Sequence, residues 1–142
     1  AHPGWSASDL SAAITNTASL EVTVLDTLNN GKELAIVDAS VEAHMLDLLI
    51  YRQSARMEAD GPHKVMICGK SCLAGDIFGE FGFAQPVKVG DRLSIADAAG
   101  YTMVKKNWFN GVKMPSIVIR DLDGTLSVAR EFGYADYAAS LG

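Results

Sequence analysis

Residues 18–28, ASLEVTVLDTL, set Leu20, Val22 and Val24 against Glu21, Thr23 and Leu25 in a two-residue alternation, the period of a strand with one buried face. Asn29, Asn30, Gly31 and Lys32 follow, residues that suit a tight turn, and the apolar pattern resumes over residues 33–37, ELAIV. This predicts a β-hairpin. After Asp38 and Ala39, Ser40 stands as an N-cap for VEAHMLDLLI, whose apolar positions 41, 45, 48 and 49 share one helical face.

Residues 52–63, RQSARMEADGPH, are polar and end near a Gly-Pro pair, which predicts a loop before a short strand over residues 64–68. From Phe83 onward the pattern predicts strands between turns: QPVKVGDRLSIADA, GYTMV and PSIVIRDLDGTLSVA, with Gly90-Asp91 and Asp123-Gly124 as turn signals. The second pair separates Ile117, Val118 and Ile119 from Leu126 and Val128, a further hairpin. The tail REFGYADYAASLG predicts a last short helix with its aromatic residues on the barrel. Many short strands with small helical pieces indicate a mainly β domain, a barrel or sandwich, over residues 18–142, with residues 1–17 as a lead-in segment.

Composition narrows the class of partner. The 142 residues are 49% hydrophobic and 20% charged, enough for one core. With 12 Lys and Arg against 17 Asp and Glu, the net charge of -5 argues against a nucleic acid or an anionic membrane surface and for small-molecule or protein partners. Nothing approaches the ~18 consecutive apolar residues of a spanning helix. The start, AHPGWSASDL, lacks the basic and apolar regions of a signal peptide, so the chain reads as cytoplasmic. Its two cysteines read as thiols rather than as a disulfide framework. A start at Ala1 leaves a fragment, a processed chain or one part of a split protein open.

The chemistry concentrates in residues 68–76, CGKSCLAGD. A phosphate loop requires a glycine five positions before the Gly-Lys-Ser, and Lys64 stands there. A zinc site requires about four ligands; Cys68 and Cys72 have no second pair, and only His2, His44 and His63 are available, so no metal is expected. Cys72, between Gly69 and Gly75, is either a small apolar residue in a tight turn or an exposed thiol that donates a proton or attacks as a nucleophile. Cys68, inside a predicted strand, takes the first reading.

Three stretches then carry a resemblance: GKSCLAGDIFGEFGF, PVKVGDRLSIADAAGYTMVKKNWFNGVKMPSI and, upstream, IVDASVEAHMLD. Over about residues 18–120 the chain resembles the C-terminal domain of the carboxynorspermidine decarboxylases. These are fold III, alanine-racemase-like pyridoxal-phosphate decarboxylases related to the ornithine and diaminopimelate enzymes. The resemblance implies a β-barrel domain that follows a cofactor-binding (β/α)8 barrel, absent from this chain, and completes active sites across a homodimer interface. It implies a role in polyamine biosynthesis, with pyridoxal 5'-phosphate bound mainly by the absent barrel. The complete protein would be a carboxy-lyase, and this chain alone would be inactive.

The resemblance also implies roles for single residues. Cys72 matches the cysteine that reaches a partner subunit's site and protonates Cα after CO2 leaves. Tyr101 matches a tyrosine that bonds the cofactor phosphate. Phe109 and Asn110 match residues lining the substrate pocket, and Asp38 an acidic position near the substrate's distal end. Asp76 stands equally for a substrate or interface contact and for an ion pair or turn cap, and His44 for a polyamine contact and for a structural histidine. Leu73 occupies the place where ornithine- and diaminopimelate-type enzymes carry an acid, which favours carboxynorspermidine or carboxyspermidine as the substrate.

Two departures oppose full activity. Ser8, Asp9, Leu10 and Ser11 stand where the family has Glu-Pro-Gly, and none of Lys32, Lys64, Lys70, Lys88, Lys105, Lys106 or Lys113 lies in a motif for a Schiff-base lysine. They leave a second expectation beside the first: a non-catalytic remnant or regulatory module of the same fold that has lost the cofactor.

Overall fold

The computed structural model describes residues 18–142; the sequence expectations for residues 1–17, including Ser8 to Ser11, lie outside them. Strand β1 (Ser19–Asn29) is long because it serves two neighbours. Its first half pairs antiparallel with β5 (Arg92–Ala96) and its second half with β2 (Glu33–Val37), the register shifting between Val24 and Asp26. Leu20, Val22 and Val24 are buried, as the alternation requires. A crossover returns the chain so that β3 (His63–Cys68) runs parallel to β2, and β4 (Ile77–Phe83) lies antiparallel on β3. The sheet order is therefore β4-β3-β2-β1-β5.

The two outer strands of this sheet are joined through the crossover. The Ala55 amide donates to the Phe78 carbonyl of β4, and the Ala96 amide of β5 donates to the Arg56 carbonyl. Two adjacent residues thus span the gap between the edges and curl the sheet toward a barrel, so neither edge is left as an open row of donors and acceptors there. Phe78, Ile67, Ile95, Val22, Val24 and Val37 fill the interior.

The crossover also contains the expected helix, in two pieces. Ser40 caps α1 (Val41–His44), its Oγ accepting from the Ala43 amide. The chain then breaks at Met45, with φ -137 and ψ 50, before α2 (Leu46–Tyr51). The break allows Val41 and Met45 to join the core together while α2 lies more exposed.

The structure departs from the sequence reading at three places. GYTMV is not a strand: residues 101–105 form helix α3 (Tyr101–Lys105), which starts at Gly100 in a backbone conformation, φ 57 and ψ -116, that favours glycine. The Thr102 hydroxyl bonds the Asp97 carbonyl, and Lys105 bonds Asp47 of α2, contacts that hold a helical turn against aromatic and β-branched composition. Strand β4 has no counterpart in the alternation pattern, because Gly79 and Gly82 interrupt the apolar run.

The third correction concerns the tail. Its helix is present as α4 (Tyr134–Ser140), but Phe132 and Tyr137 pack on Trp108 rather than on the barrel, with ring centres 6.4 and 5.7 Å away. The hairpin of β6 (Ile117–Arg120) and β7 (Leu126–Arg130) forms as expected, but as a separate two-stranded sheet. Its side chains are exposed apart from the half-buried Ile117. No helix of the described residues is long and apolar enough to cross a membrane.

Candidate functional site

The loop between β3 and β4 is built around one carboxylate. Asp76, 5% exposed, accepts from the Val41 amide at 2.7 Å through Oδ1, and from the Ser71 amide and hydroxyl through Oδ2. Its backbone closes the same loop: the Gly69 amide donates to the Asp76 carbonyl, and the Asp76 amide to the Leu73 carbonyl. Gly69 has no side chain because a methyl group there would overlap the Asp76 carboxylate. The Lys70 amide donates to the Ala39 carbonyl, so the loop is fastened to the chain entering α1 as well.

Cys72 rides on this frame, exposed, at the loop's outer bend. Its amide donates to Asn110 Oδ1 at 2.8 Å. Asn110 lies in a short 3-10 turn (Phe109–Gly111) with φ 56 and ψ 16, the left-handed region that asparagine enters at lower cost than most residues. Asn107 holds that turn in place: its amide donates to the Ala43 carbonyl, its side-chain nitrogen to the Glu42 carbonyl, and its Oδ1 accepts from the Phe109 amide. The thiol is thus free while the backbone bearing it is held from two sides. Cys68, by contrast, is half-buried, and burial together with the Asp76 carboxylate pushes its thiol pKa up.

His44 closes the inner side of this assembly. It is 4% exposed, and its Nδ1 accepts from the Ser40 amide. Its Nε2 is buried without a hydrogen-bond partner among the described residues. Burial lowers its pKa to about 4, against smaller opposing effects from the Asp38 and Asp76 carboxylates. The imidazole is therefore neutral at pH 7. Asp38 is exposed, and its Oδ1 accepts from the Thr23 amide at 2.7 Å, just beyond the last β1–β2 pair, Val24 and Val37.

Of the residues singled out in the sequence, Cys72 and Asn110 come together, Phe109 shares the turn of Asn110, and Asp76 bonds Ser71, the residue before Cys72. His44 is linked to that frame through Ser40 and Val41, whereas the Asp38 carboxylate serves the β-sheet. Tyr101 stands on α3, 72% exposed, with the Lys105 ammonium 5.0 Å from its ring centre. Sequence reasoning missed Ser71, Asn107 and Lys105. Asn-Trp-Phe-Asn-Gly carried a signal for Asn107, since asparagine two positions before a turn residue bonds the following backbone.

Residues 13–99 match the family model described as pyridoxal-dependent decarboxylase, C-terminal sheet domain. The chain is 60% identical over 131 residues to a carboxynorspermidine/carboxyspermidine decarboxylase of Herminiimonas arsenicoxydans, covering 92% of this chain and 36% of that protein. It is 44% identical over 113 residues to a carboxyaminopropylagmatine decarboxylase of Synechocystis, covering 76% and 29%. In structure it is similar to the carboxynorspermidine decarboxylase of Campylobacter jejuni complexed with norspermidine. That likeness has a TM-score of 0.85 at 34% identity and covers 92% of this chain and 40% of that one. The chain spans little more than a third of the length of the first of these relatives.

Proposed function

The chain belongs to the pyridoxal-dependent decarboxylase family, as its C-terminal sheet domain, and we propose that it forms one wall of the active site of an enzyme that decarboxylates carboxynorspermidine and carboxyspermidine. The observation that carries this reading is the exposed Cys72 thiol on a backbone clamped by Asp76 and Ser71 behind it and by Asn110 beside it. A proton donor needs this combination: a mobile, accessible proton on an immobile support.

The cofactor supplies an electron sink that lets CO2 leave from Cα. The described residues suit one side of that group: the exposed Tyr101 phenol, with a cation behind its ring, is a fitting donor to its phosphate. Cys72 then delivers a proton from Sγ to Cα and recovers it from solvent at its exposed position. Asn110, bonded to the Cys72 amide, and Phe109 in the same turn orient the substrate chain. His44 and Asp76 keep these surfaces in register, and neutral His44 leaves no buried cation to repel a polyamine.

A pocket completed by a second subunit accords with this reading, because the thiol faces outward from its own domain. The half-buried Leu73 after Cys72 leaves no carboxylate at that place for a short diamine. A longer polyamine accordingly has its amines held elsewhere, with the exposed Asp38 as one acidic group available to them.

The test uses the complete enzyme loaded with pyridoxal phosphate. Cys72→Ala should keep the cofactor's absorption spectrum and lower kcat for carboxynorspermidine by roughly 10²- to 10⁴-fold, the span of a lost general acid. Full turnover in that variant would remove the role from Cys72. A preference for diaminopimelate or carboxyaminopropylagmatine over carboxynorspermidine would overturn the substrate while leaving the reaction class in place. Absence of any cofactor absorption in the complete, folded enzyme would favour a non-catalytic relative instead.

A further inference from the structure

Helix α3 carries Tyr101 and Lys105 four positions apart, so both side chains project from one face. The Lys105 ammonium lies 5.0 Å from the centre of the Tyr101 ring and 6.0 Å from that of Tyr51 on α2. It also donates to Asp47 Oδ1, again on α2, at 2.5 Å. The cation is thus held by a carboxylate and two aromatic faces contributed by two elements, and the Asp47 hydrogen bond pushes its pKa up. Tyr101 has no comparable cover. It is the first residue of its helix and most of its side chain meets solvent.

An exposed tyrosine at a helix start ordinarily distributes over staggered χ1 wells. A fixed cation at one ring face favours the well in which the ring stays over it. Lys105 is fixed in that sense, since Asp47 and Tyr51 anchor it to a different helix.

We propose that Lys105 is a positioning residue: anchored by Asp47 and Tyr51, its ammonium holds the Tyr101 ring so that the hydroxyl is already oriented toward a phosphate group. This rests on the assignment of Tyr101 to the cofactor phosphate. Lys105 itself acts through Tyr101, its ammonium being held against Asp47 and the two tyrosine rings. The arrangement joins α2 to α3, and it extends the site to two residues, Asp47 and Tyr51, to which the sequence reading assigned no role.

The test is a titration of the cofactor-free complete enzyme with pyridoxal phosphate, read by tryptophan fluorescence rather than by turnover. Lys105→Met should weaken binding about three- to fivefold, and Lys105→Arg, which keeps a cation at the ring, should restore it. In a Tyr101→Phe background Lys105→Met should add almost nothing, because the hydroxyl it orients is gone. An equal loss in both backgrounds, or no loss at all with Lys105→Met, overturns the proposal. Tyr101→Phe with unchanged cofactor affinity overturns the phosphate assignment instead. The 142-residue chain provides a separate readout: the Lys105 side-chain methylene resonances should be shifted upfield by the ring and return toward random-coil positions in Tyr101→Ala. Random-coil positions in the parent chain would count against the clamp itself.

Discussion

The Cys72 amide and the Asn110 side chain meet at 2.8 Å across 38 positions of sequence, joining the cysteine loop to the short turn that follows α3. Asn110 meets two demands at once, since it supplies the acceptor and occupies a left-handed backbone conformation. The two demands separate by substitution. Asn110→Gly keeps the backbone relaxed and removes the acceptor, and should cost about 1 kcal/mol. Asn110→Ala adds the left-handed penalty and should cost about 2 kcal/mol in urea unfolding. In the complete enzyme both should lower kcat, because the backbone carrying the thiol loses its support, and raise KM by a smaller factor, because Asn110 also lines the substrate pocket.

How much of this was legible follows from what sets each feature. The β1–β2 hairpin and the Ser40 cap are local, and alternation with turn and cap chemistry marked them. Helix α3 misled because five residues span less than two turns, too short for a helical period, while Tyr, Thr and Val read as strand. Strand β4 stayed hidden behind its glycines. The glycine-bracketed loop marked Cys72 as one of two readings, an exposed thiol or a small apolar residue; its role as the Cα proton donor, and Asn110 and Tyr101 altogether, were reached only through resemblance. The ties that hold the loop, Val41 to Asp76 over 35 positions and Asn107 to Glu42 over 65, leave no periodic trace in the chain.

Asp76 should be the residue whose loss most disturbs the cysteine loop. Asp76→Ala would leave the Val41 and Ser71 amides without their acceptor, and hydrogen bonds to a buried carboxylate are worth more than neutral ones. A destabilisation of about 3 kcal/mol is expected in urea unfolding, with faster hydrogen exchange at Val41 and Ser71. Gly69→Ala should show the same pair of accelerated amides, because its methyl group displaces the carboxylate that holds them. Unchanged exchange at both positions would remove Asp76 from the centre of the loop.

His44 gives the fold a pH dependence of known sign. Its pKa is about 4 when folded, against 6.5 unfolded, so between those values the unfolded chain binds a proton that the folded chain refuses. Above pH 6.5 neither state is charged and the effect vanishes. As pH falls from 6.5 to 4 stability should decline by about 3 kcal/mol from this group, and no further below 4. His44→Asn keeps an acceptor for the Ser40 amide and removes the titration. The difference in unfolding free energy between parent and variant, measured from pH 7.5 to 4, should carry this decline. A flat difference would contradict the burial of a neutral imidazole.

Closure of the sheet rests on Ala55 and Arg56, and it should be separable from their side chains. The Ala55 amide donates to Phe78 at 2.7 Å, and the Arg56 carbonyl accepts from Ala96 at 2.8 Å. Ala55→Pro removes the donor and crowds a buried position, so a loss of about 3 kcal/mol or more is expected. Arg56→Ala leaves both backbone bonds and deletes only the exposed pair with Asp97, so it should cost less than about 1 kcal/mol. Hydrogen exchange distinguishes closure from a merely local defect. Opening the bridge should expose the Ala96 amide on β5 in Ala55→Pro, although β5 is remote in sequence and its own pairing with β1 is untouched. Protection of Ala96 equal to that of the parent would mean that the two edges hold their curvature without the bridge.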